Sequence, residues 1–250
     1  MSGTTYVLLP PSESKEPGGR LVAAPGFFDG ALASPRDQVR RALSRALVSA
    51  TPAEASRILK VRGPLLERAI ESSRALIEGT APLLPAWQRY NGVVWSHLGP
   101  STLSDRQRRR ILVPSGLYGI SSGTDAIADY RLTMKVSLDG IGNLAKFWRA
   151  SLTRALEEMQ GVQFVSLLPK EHVAAIGDSL TLSKQLITVS FLRDDGDGVA
   201  GHDAKAVKGT VARRILDDGP DVIDGFEWQG WRGKIRRGQY LVRAPRVPVR

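Results

Sequence analysis

Five side chains have the chemistry of a catalytic or anion-binding site: Glu13, Lys15, Tyr118, Arg131 and Lys205. Lysine and arginine bind phosphate or carboxylate groups, and a glutamate or a tyrosine can move a proton. These residue types suit an enzyme acting on a small anionic or nucleotide-like substrate, with Lys15, Glu13 and Tyr118 as candidate catalytic residues. The alternatives are a solvated loop lysine at position 15 and a half-buried turn tyrosine at position 118.

Arg131 lies in an apolar context, between Tyr130 and Leu132. An arginine among core residues needs a partner, because burying an unpaired charge is costly. The sequence offers Asp129 or Asp125 as that partner, or else a bound anion.

The balance of charge favours a polyanionic partner. The chain has 35 Lys and Arg against 25 Asp and Glu, a formal net charge of +10 and a pI of about 10.2. Residues 229–250 contain seven Lys and Arg and no acid, and four arginines cluster at 106–110. This distribution predicts binding to DNA, with a generally basic proteome as the alternative explanation.

Three cations fall along one predicted helix, Lys205, Lys208 and Arg213. A row of cations on a helix suits a phosphate backbone, although a solvated helix face is the alternative. With Lys15 and Arg131, these residues are the predicted nucleic-acid or anion contacts.

The content of cysteine and histidine excludes several kinds of site. There is no cysteine, which excludes disulfides, thiol catalysis and thiolate metal sites. Only three histidines are present. Residues 194–198 (Asp-Asp-Gly-Asp-Gly) resemble a calcium loop but lack its spaced ligands and closing glutamate, so a hairpin turn is the better interpretation. We expect no metal and no cofactor.

The distribution of apolar residues predicts a protein without a membrane span or a signal peptide, and the absence of cysteine fits a reducing cytoplasm. No apolar run approaches the roughly 20 residues that span a bilayer. The apolar run near the N-terminus is too short for a signal peptide and lacks a preceding basic region.

Hydrophobic patterns predict the elements that position these side chains. Buried strands are predicted at 6–10, 111–113, 164–168 and 186–192. Helices are predicted from Pro35, at 52–60, at 64–78, from about 104, at 143–160 and at 205–216, before a hairpin of strands at 227–231 and 239–242. In the central turn, Gly116 and Gly119 flank Tyr118, and at least one of them should take a positive φ.

Strands and helices alternate irregularly, which predicts a mixed α/β fold with a mixed central sheet and surrounding helices. We expect one compact domain over 1–250, with a helical hairpin at about 36–78 as a subregion. The turn at 61–63 is helix-hairpin-helix-like, but it lacks the Gly-x-Gly of the DNA-binding version, so spacing alone favours an ordinary αα-hairpin.

Several motifs occur in the order that characterises one known family. They are Leu-Leu-Pro-Pro-Ser-Glu-Ser-Lys at 8–15, Tyr-Asn-Gly-Val-Val-Trp at 90–95, Ser-Gly-Leu-Tyr-Gly at 115–119, Tyr-Arg-Leu-Thr-Met at 130–134, Phe-Trp at 147–148, Ala-Lys-Ala-Val-Lys-Gly with an arginine at 204–213, and Gly-Phe at 225–226. Over nearly its whole length the chain resembles the YaaA family of peroxide-stress proteins. It departs from the family at 170–172, where Lys-Glu-His replaces an acid-Glu-Tyr motif.

The resemblance implies a cytoplasmic protein that limits oxidative damage and free iron under hydrogen peroxide. It also implies a strand at 90–95, a positively charged cleft, a helix-hairpin-helix element and binding to DNA. We expect Lys15, Arg131 and Lys205 to line that cleft, with Tyr118 on its wall and Glu13 near its rim.

Two functions therefore stand side by side. The first is DNA binding through the cleft, where Tyr90, Tyr118 or Trp95 could stack on exposed bases. The second is an enzyme in the same cleft. A closed pocket would favour the enzyme, and an open groove would favour DNA.

Overall fold

The computed structural model describes residues 3–193 and 201–245. Its strands are β1 (Thr4–Leu8), β2 (Leu83–Pro85), β3 (Ile111–Ser115), β4 (Gly119–Ser122), β5 (Ala126–Ala128), β6 (Ser137–Leu138), β7 (Gly142–Asn143), β8 (Val162–Ser166), β9 (Leu186–Leu192), β10 (Glu227–Trp228), β11 (Trp231–Arg236) and β12 (Gln239–Arg243). Its helices are α1 (Asp29–Val48), α2 (Pro52–Leu59), α3 (Pro64–Glu78), α4 (Ala86–Arg89), α5 (Val93–Leu98), α6 (Asp105–Arg109), α7 (Leu144–Glu157), α8 (Lys170–Val173), α9 (Leu180–Gln185) and α10 (His202–Asp218).

Eight strands form the central sheet, in the order β10-β11-β12-β9-β8-β1-β3-β4. The strands from β12 to β3 pair in parallel. At the two ends, β4 runs antiparallel to β3, and β10, β11 and β12 run antiparallel in succession. This sheet confirms the predicted mixed α/β class.

The path of the chain through the parallel strands reverses direction between β1 and β8. From β1 the chain reaches β3 on one side, and it later returns to β8 on the other side of β1. In doubly wound sheets, ligands bind at such a reversal, beyond the carboxyl ends of the strands. Residues 9–15 follow β1 and residues 167–172 follow β8, so both segments flank this position.

The parallel strands are buried because both faces of such a sheet are covered. All five residues of β3 are buried, as are Val7 and Leu8 of β1. The buried apolar side chains form one contiguous core, which includes Trp95 and Trp148. The predicted strands β1, β3 and β8 therefore contribute to the core, whereas β9 is buried only at Val189 and Phe191.

Helix signals in the sequence locate most helix starts correctly. Thr51 and Glu54 form the predicted capping box of α2, with Pro52 at the first helical position. The predicted start at Pro35 is wrong, because α1 begins at Asp29 with that proline inside it. The helix extends back because Leu32 lies on the same buried face as the later apolar residues of α1.

Residues 90–95 do not form the strand that the family resemblance implies. A short turn separates α4 from α5, and Gly92 caps α5. Valines favour strands locally, but α5 packs closely against α10. At Gly209 in α10, a Cβ atom would lie 2.2 Å from the Val94 carbonyl oxygen. Tertiary packing thus overrides local preference here.

Helices α1, α2 and α3 occupy the predicted helical region, and residues 60–63 join the last two. Lys60 and Gly63 both have positive φ, at 54° and 60°, which lets the chain reverse between the helices. Residues 60–63 form the turn between α2 and α3, and both the helical hairpin and its contact with DNA stay predictions.

Within the two described ranges, no helix is both long and apolar enough to cross a lipid bilayer.

Candidate functional site

Lys15 ends the loop after β1, and contacts with the segment 90–92 fix it there. Lys15 and Tyr90 pair in an isolated antiparallel bridge. The Asn91 N–H donates to the Ser12 hydroxyl (3.2 Å). Gly92 permits this approach, since a Cβ atom there would lie 2.8 Å from the Cβ atom of Ser12. The two segments therefore form one wall of the site.

The Lys15 amine is buried against aromatic rings. The residue is 7% exposed, and its Nζ atom donates to the Ser12 carbonyl oxygen (2.8 Å). Nζ lies 4.3 Å from the ring centroid of Tyr130 and 5.6 Å from that of Tyr90. Burial lowers the pKa of Lys15 to about 7, although the charge of Asp129 acts in the opposite direction. Such an amine exchanges its proton near neutral pH and can serve as an acid, a base or an anion ligand.

Three tyrosines surround this amine. The hydroxyls of Tyr90 and Tyr130 share a hydrogen bond of 2.7 Å. Tyr118 packs edge-on against Tyr130, with ring centroids 5.4 Å apart, and its hydroxyl accepts the Ala128 N–H (2.9 Å). Burial raises the pKa of all three phenols, so they stay protonated at neutral pH. Tyr118 thus lies on the wall of the Lys15 site.

Arg89 fixes the wall from inside the protein. Its side chain is fully buried, and its guanidinium donates to the backbone carbonyls of Glu16, Gly18, Pro82 and Ile127. One planar cation with five N–H donors therefore holds together three segments of the chain. Sequence reasoning does not single out Arg89, although its neighbours Trp87 and Tyr90 make its context as apolar as that of Arg131.

Neither carboxylate predicted for Arg131 pairs with it. Asp129 pairs with Arg68 (2.7 Å), and Arg68 also donates to the Lys15 carbonyl oxygen (3.1 Å). Asp125 accepts two backbone N–H groups. Among the described residues, Arg131 forms no ion pair, and its charge lowers the pKa of Lys15. Its guanidinium is therefore free to hold an anion near the amine.

Glu13 lies in the same loop as Lys15 and is exposed. The charge of Glu13 raises the pKa of Lys15 less than the charge of Asp129 does. The hydrogen bond of the amine goes instead to Ser12. Glu13 thus has a peripheral position, and its catalytic role stays a prediction.

The predicted cations of α10 have three different environments. Lys205 is exposed in the first turn. Lys208 is largely buried, with its Nζ atom 5.1 Å from the Phe191 ring centroid, and burial lowers its pKa. Arg213 donates to Asp217 (2.8 Å) and to Thr102 (2.5 Å). The three cations therefore do not form a uniform exposed row, and their contact with nucleic acid stays a prediction.

The orientation of α10 places Lys205 at the carboxyl edge of the sheet. Arg110 precedes β3, and its Nη2 atom donates to the Leu216 carbonyl near the end of α10 (2.5 Å). The last turn of α10 therefore lies at the amino edge, and its first turn lies at the opposite edge, where Lys15 is found. Arg213 is about 12 Å further along the helix axis from Lys205 and lies apart from the Lys15 site.

Two of the aromatic residues expected to stack on bases are buried. Tyr90 and Trp95 are 2% and 1% exposed, and the Trp95 indole N–H donates to the Pro10 carbonyl (3.1 Å). The expectation that they stack on DNA is wrong, because the same aromatic character that suits base stacking also suits a core.

Within the described ranges, no group of three or more acidic or histidine side chains is arranged to hold a metal ion. His172 is largely buried, its Nδ1 atom has no hydrogen-bond partner among the described residues, and burial lowers its pKa to about 4. The acidic turn predicted at 194–198 lies outside the described residues.

The structure therefore brings Tyr118 and Tyr130 together beside the buried Lys15 amine, and the charge of Arg131 acts on the same amine. Tyr90 and Arg68 complete the site. A buried amine, phenolic donors and an unpaired guanidinium can bind an anion and exchange protons with it.

Comparison of the sequence with known proteins identifies its family. The family model for peroxide stress protein YaaA matches residues 6–234. A UPF0246 protein of Streptomyces coelicolor is 33% identical over 221 residues, covering 85% of this chain and 83% of that protein. UPF0246 proteins of Corynebacterium glutamicum and Flavobacterium johnsoniae are 29% and 30% identical, covering 83% and 63% of this chain and 83% and 68% of their own lengths. The matched region contains every side chain of the Lys15 site, and the chain belongs to the peroxide stress protein YaaA family.

Proposed function

We propose that this protein acts in peroxide defence by binding DNA with little sequence selectivity. The observation that carries the proposal is the net charge of +10. Basic proteins neutralise DNA phosphates and release condensed counterions, which drives binding at low salt. Such binding would cover DNA that peroxide chemistry attacks.

Some of the predicted contacts are exposed, which supports the proposal. Lys205 is exposed at the carboxyl edge of the sheet, and Arg131 is unpaired among the described residues. Lys60 and Arg62 are exposed in the turn between α2 and α3. These exposed cations support the proposal, whereas Lys15 is buried beneath the surface that DNA would touch.

Fluorescence anisotropy with two unrelated labelled 25-bp duplexes tests DNA binding. We expect similar affinities for both and a log–log salt slope of roughly −3 to −6, as for about four to seven neutralised phosphates. No binding at low salt, or an affinity that does not change with salt, would contradict the proposal.

A second candidate function is supported by the Lys15 site. The unpaired Arg131 guanidinium near a buried amine suits a small phosphate- or carboxylate-bearing ligand. Protonated Lys15 attracts such an anion more strongly than the neutral amine does, so affinity should fall as pH rises through about 7.

Calorimetric titration with inorganic phosphate and with AMP tests this second function. We expect binding that Arg131→Gln abolishes. The probes change charge equally for every variant, so the pH dependence between 6 and 8 should differ between the wild type and Lys15→Met by the loss of the Lys15 charge. The matched control is Arg154→Gln, which removes an exposed arginine from α7 and should leave binding unchanged. No binding of either probe, or equal loss in the control, would overturn it.

A further inference from the structure

Strands β11 and β12 form a hairpin whose outer face is basic; we call residues 231–243 the basic ribbon. Trp231 and Gly233 are buried, whereas Arg232, Lys234 and Arg236 alternate with them and are exposed. Residues two apart on a strand are about 6.7 Å apart. The three cations therefore form a straight row along one face of the sheet.

The neighbouring strand adds to this row. The antiparallel register places Arg243 of β12 opposite Arg232 of β11, and Arg243 is exposed as well. Because β12 pairs in parallel with β9, the basic ribbon is part of the main sheet rather than a separate loop. Its cations are thus held on a rigid support before any partner binds.

The tip of the basic ribbon carries a further cation in an unfavourable conformation. Arg237 and Gly238 have φ of 50° and 74° and connect the paired residues Arg236 and Gln239. Two-residue turns with both φ values positive favour asparagine or aspartate followed by glycine. An arginine costs stability there, so its presence points to a role for the charge.

Few acidic groups neutralise this surface. The Arg232 Nε atom lies 3.4 Å from a carboxylate oxygen of Glu227, but the two side chains are 79% and 72% exposed. Ion pairs this exposed contribute little to stability. Among the described residues, Lys234, Arg236, Arg237 and Arg243 form no ion pair. The cations are therefore available to an external anion.

The same face has a groove of about 470 Å³, whose lining includes Phe226, Leu241, Glu227 and the cations Arg232, Lys234, Arg236 and Arg243. The large exposed apolar side chains of the described residues all lie before position 181, so the basic ribbon lacks the apolar anchors of a membrane-inserting surface. Charge without exposed apolar anchors favours a polyanion in water.

We propose that the basic ribbon is the surface through which this protein contacts duplex DNA. This inference rests on the proposed DNA binding and assigns it to a surface separate from the Lys15 site. Because β10 and β9 flank the two strands, the row of cations lies along the phosphate backbone rather than inside a groove. Arg232, Lys234 and Arg236 contact successive phosphates, and Arg237 at the tip reaches furthest toward the duplex.

The first experiment removes the row of cations. Arg232→Gln, Lys234→Gln and Arg236→Gln are combined and compared with a control of equal charge change, Arg45→Gln, Arg154→Gln and Lys184→Gln, on exposed helix positions. We expect the ribbon variant to lose on the order of 100-fold in affinity at 0.1 M salt and to reduce the magnitude of the salt slope by about 2–3. The control should change the slope by less than about 1.

The second experiment separates DNA contact from folding. Arg237→Gly relieves the strained tip, so it should raise the melting temperature while weakening DNA binding roughly 5- to 10-fold. The control is Gln229→Gly in the preceding turn, where φ is 44°. It should also raise the melting temperature but leave affinity unchanged.

The outcomes distinguish this inference from the proposed function. If the wild type does not bind DNA at low salt, the proposed function fails and the inference fails with it. If the wild type binds but the ribbon variant behaves like its control, DNA binding stands and the assignment to the basic ribbon is wrong. The inference is also overturned if the ribbon variant loses affinity for anionic lipid vesicles or an RNA hairpin but keeps its affinity for duplex DNA.

Discussion

The Nζ atom of Lys15 lies 4.3 Å from the ring centroid of Tyr130, so an aromatic face and burial act on the same charge in opposite directions. A cation over an aromatic ring is stabilised by about 0.5–2 kcal/mol. The fall of the Lys15 pKa from 10.5 to about 7 corresponds to roughly 5 kcal/mol. Burial therefore prevails, and the amine is poised between its charged and neutral forms.

This balance predicts how stability depends on pH. Between about pH 7 and 10.5 the unfolded chain binds the Lys15 proton and the folded chain does not, so stability rises with pH. The cost of the buried charge is fully present below pH 7 and is lost as pH rises toward 10.5. Lys15→Met removes this cost, so its stability advantage over the wild type should shrink by a few kcal/mol between pH 6.5 and 9.5. Urea unfolding of both proteins measures the difference, and two parallel pH profiles would refute this account.

The hydrogen bond between Tyr90 and Tyr130 predicts coupling between two substitutions. Tyr90→Phe or Tyr130→Phe leaves one buried hydroxyl without its partner, and each should cost about 1–2 kcal/mol. The double variant leaves neither hydroxyl unpaired, so its cost should fall about 1 kcal/mol short of the sum. Urea unfolding of the four proteins gives the coupling, and strictly additive costs would show that the bond contributes nothing.

A side chain at position 119 should reduce stability through a steric clash as well as through backbone strain. It has φ of 68°, and a Cβ atom would lie 2.7 Å from the Trp148 ring. Gly142 has φ of 71° but nothing within 4 Å of such an atom, so Gly142→Ala reports strain alone, about 1 kcal/mol. Gly119→Ala should cost at least about 2 kcal/mol more, because a buried indole cannot move freely. Equal melting temperatures for the two variants would exclude the contact with Trp148 as the cause.

Lys205 and Lys208 are three residues apart, but they should respond differently to charge reversal. Lys205 is exposed near the start of α10, where a glutamate is tolerated or slightly favoured. At Lys208 a glutamate would place a carboxylate in a largely buried position on the Phe191 ring and near Glu171. We expect Lys208→Glu to cost about 1–3 kcal/mol and Lys205→Glu to change stability by less than about 0.5 kcal/mol. Thermal unfolding of both variants measures the difference in stability, and equal stability would mean that position 208 is effectively solvated.

The sequence by itself determined the features that depend on neighbouring residues. The capping box of Thr51 and Glu54, the positive φ at Gly119 and the buried strand β3 follow from turn chemistry, caps and apolar runs. The order of the motifs also identified the family. These signals depend on a few neighbouring residues, so they can be recognised in the sequence without knowledge of the fold.

Only the tertiary structure decided which distant residues meet. Arg68 and Asp129 are 61 positions apart, and no local pattern shows that Arg68, rather than Arg131, holds that carboxylate. Burial likewise separates Lys15 and Lys208 from the exposed Lys205, although all three are lysines in polar-looking segments. A charge acquires its pKa and its partner from the packing of segments that are remote in sequence, and that packing exists only once the sheet has formed.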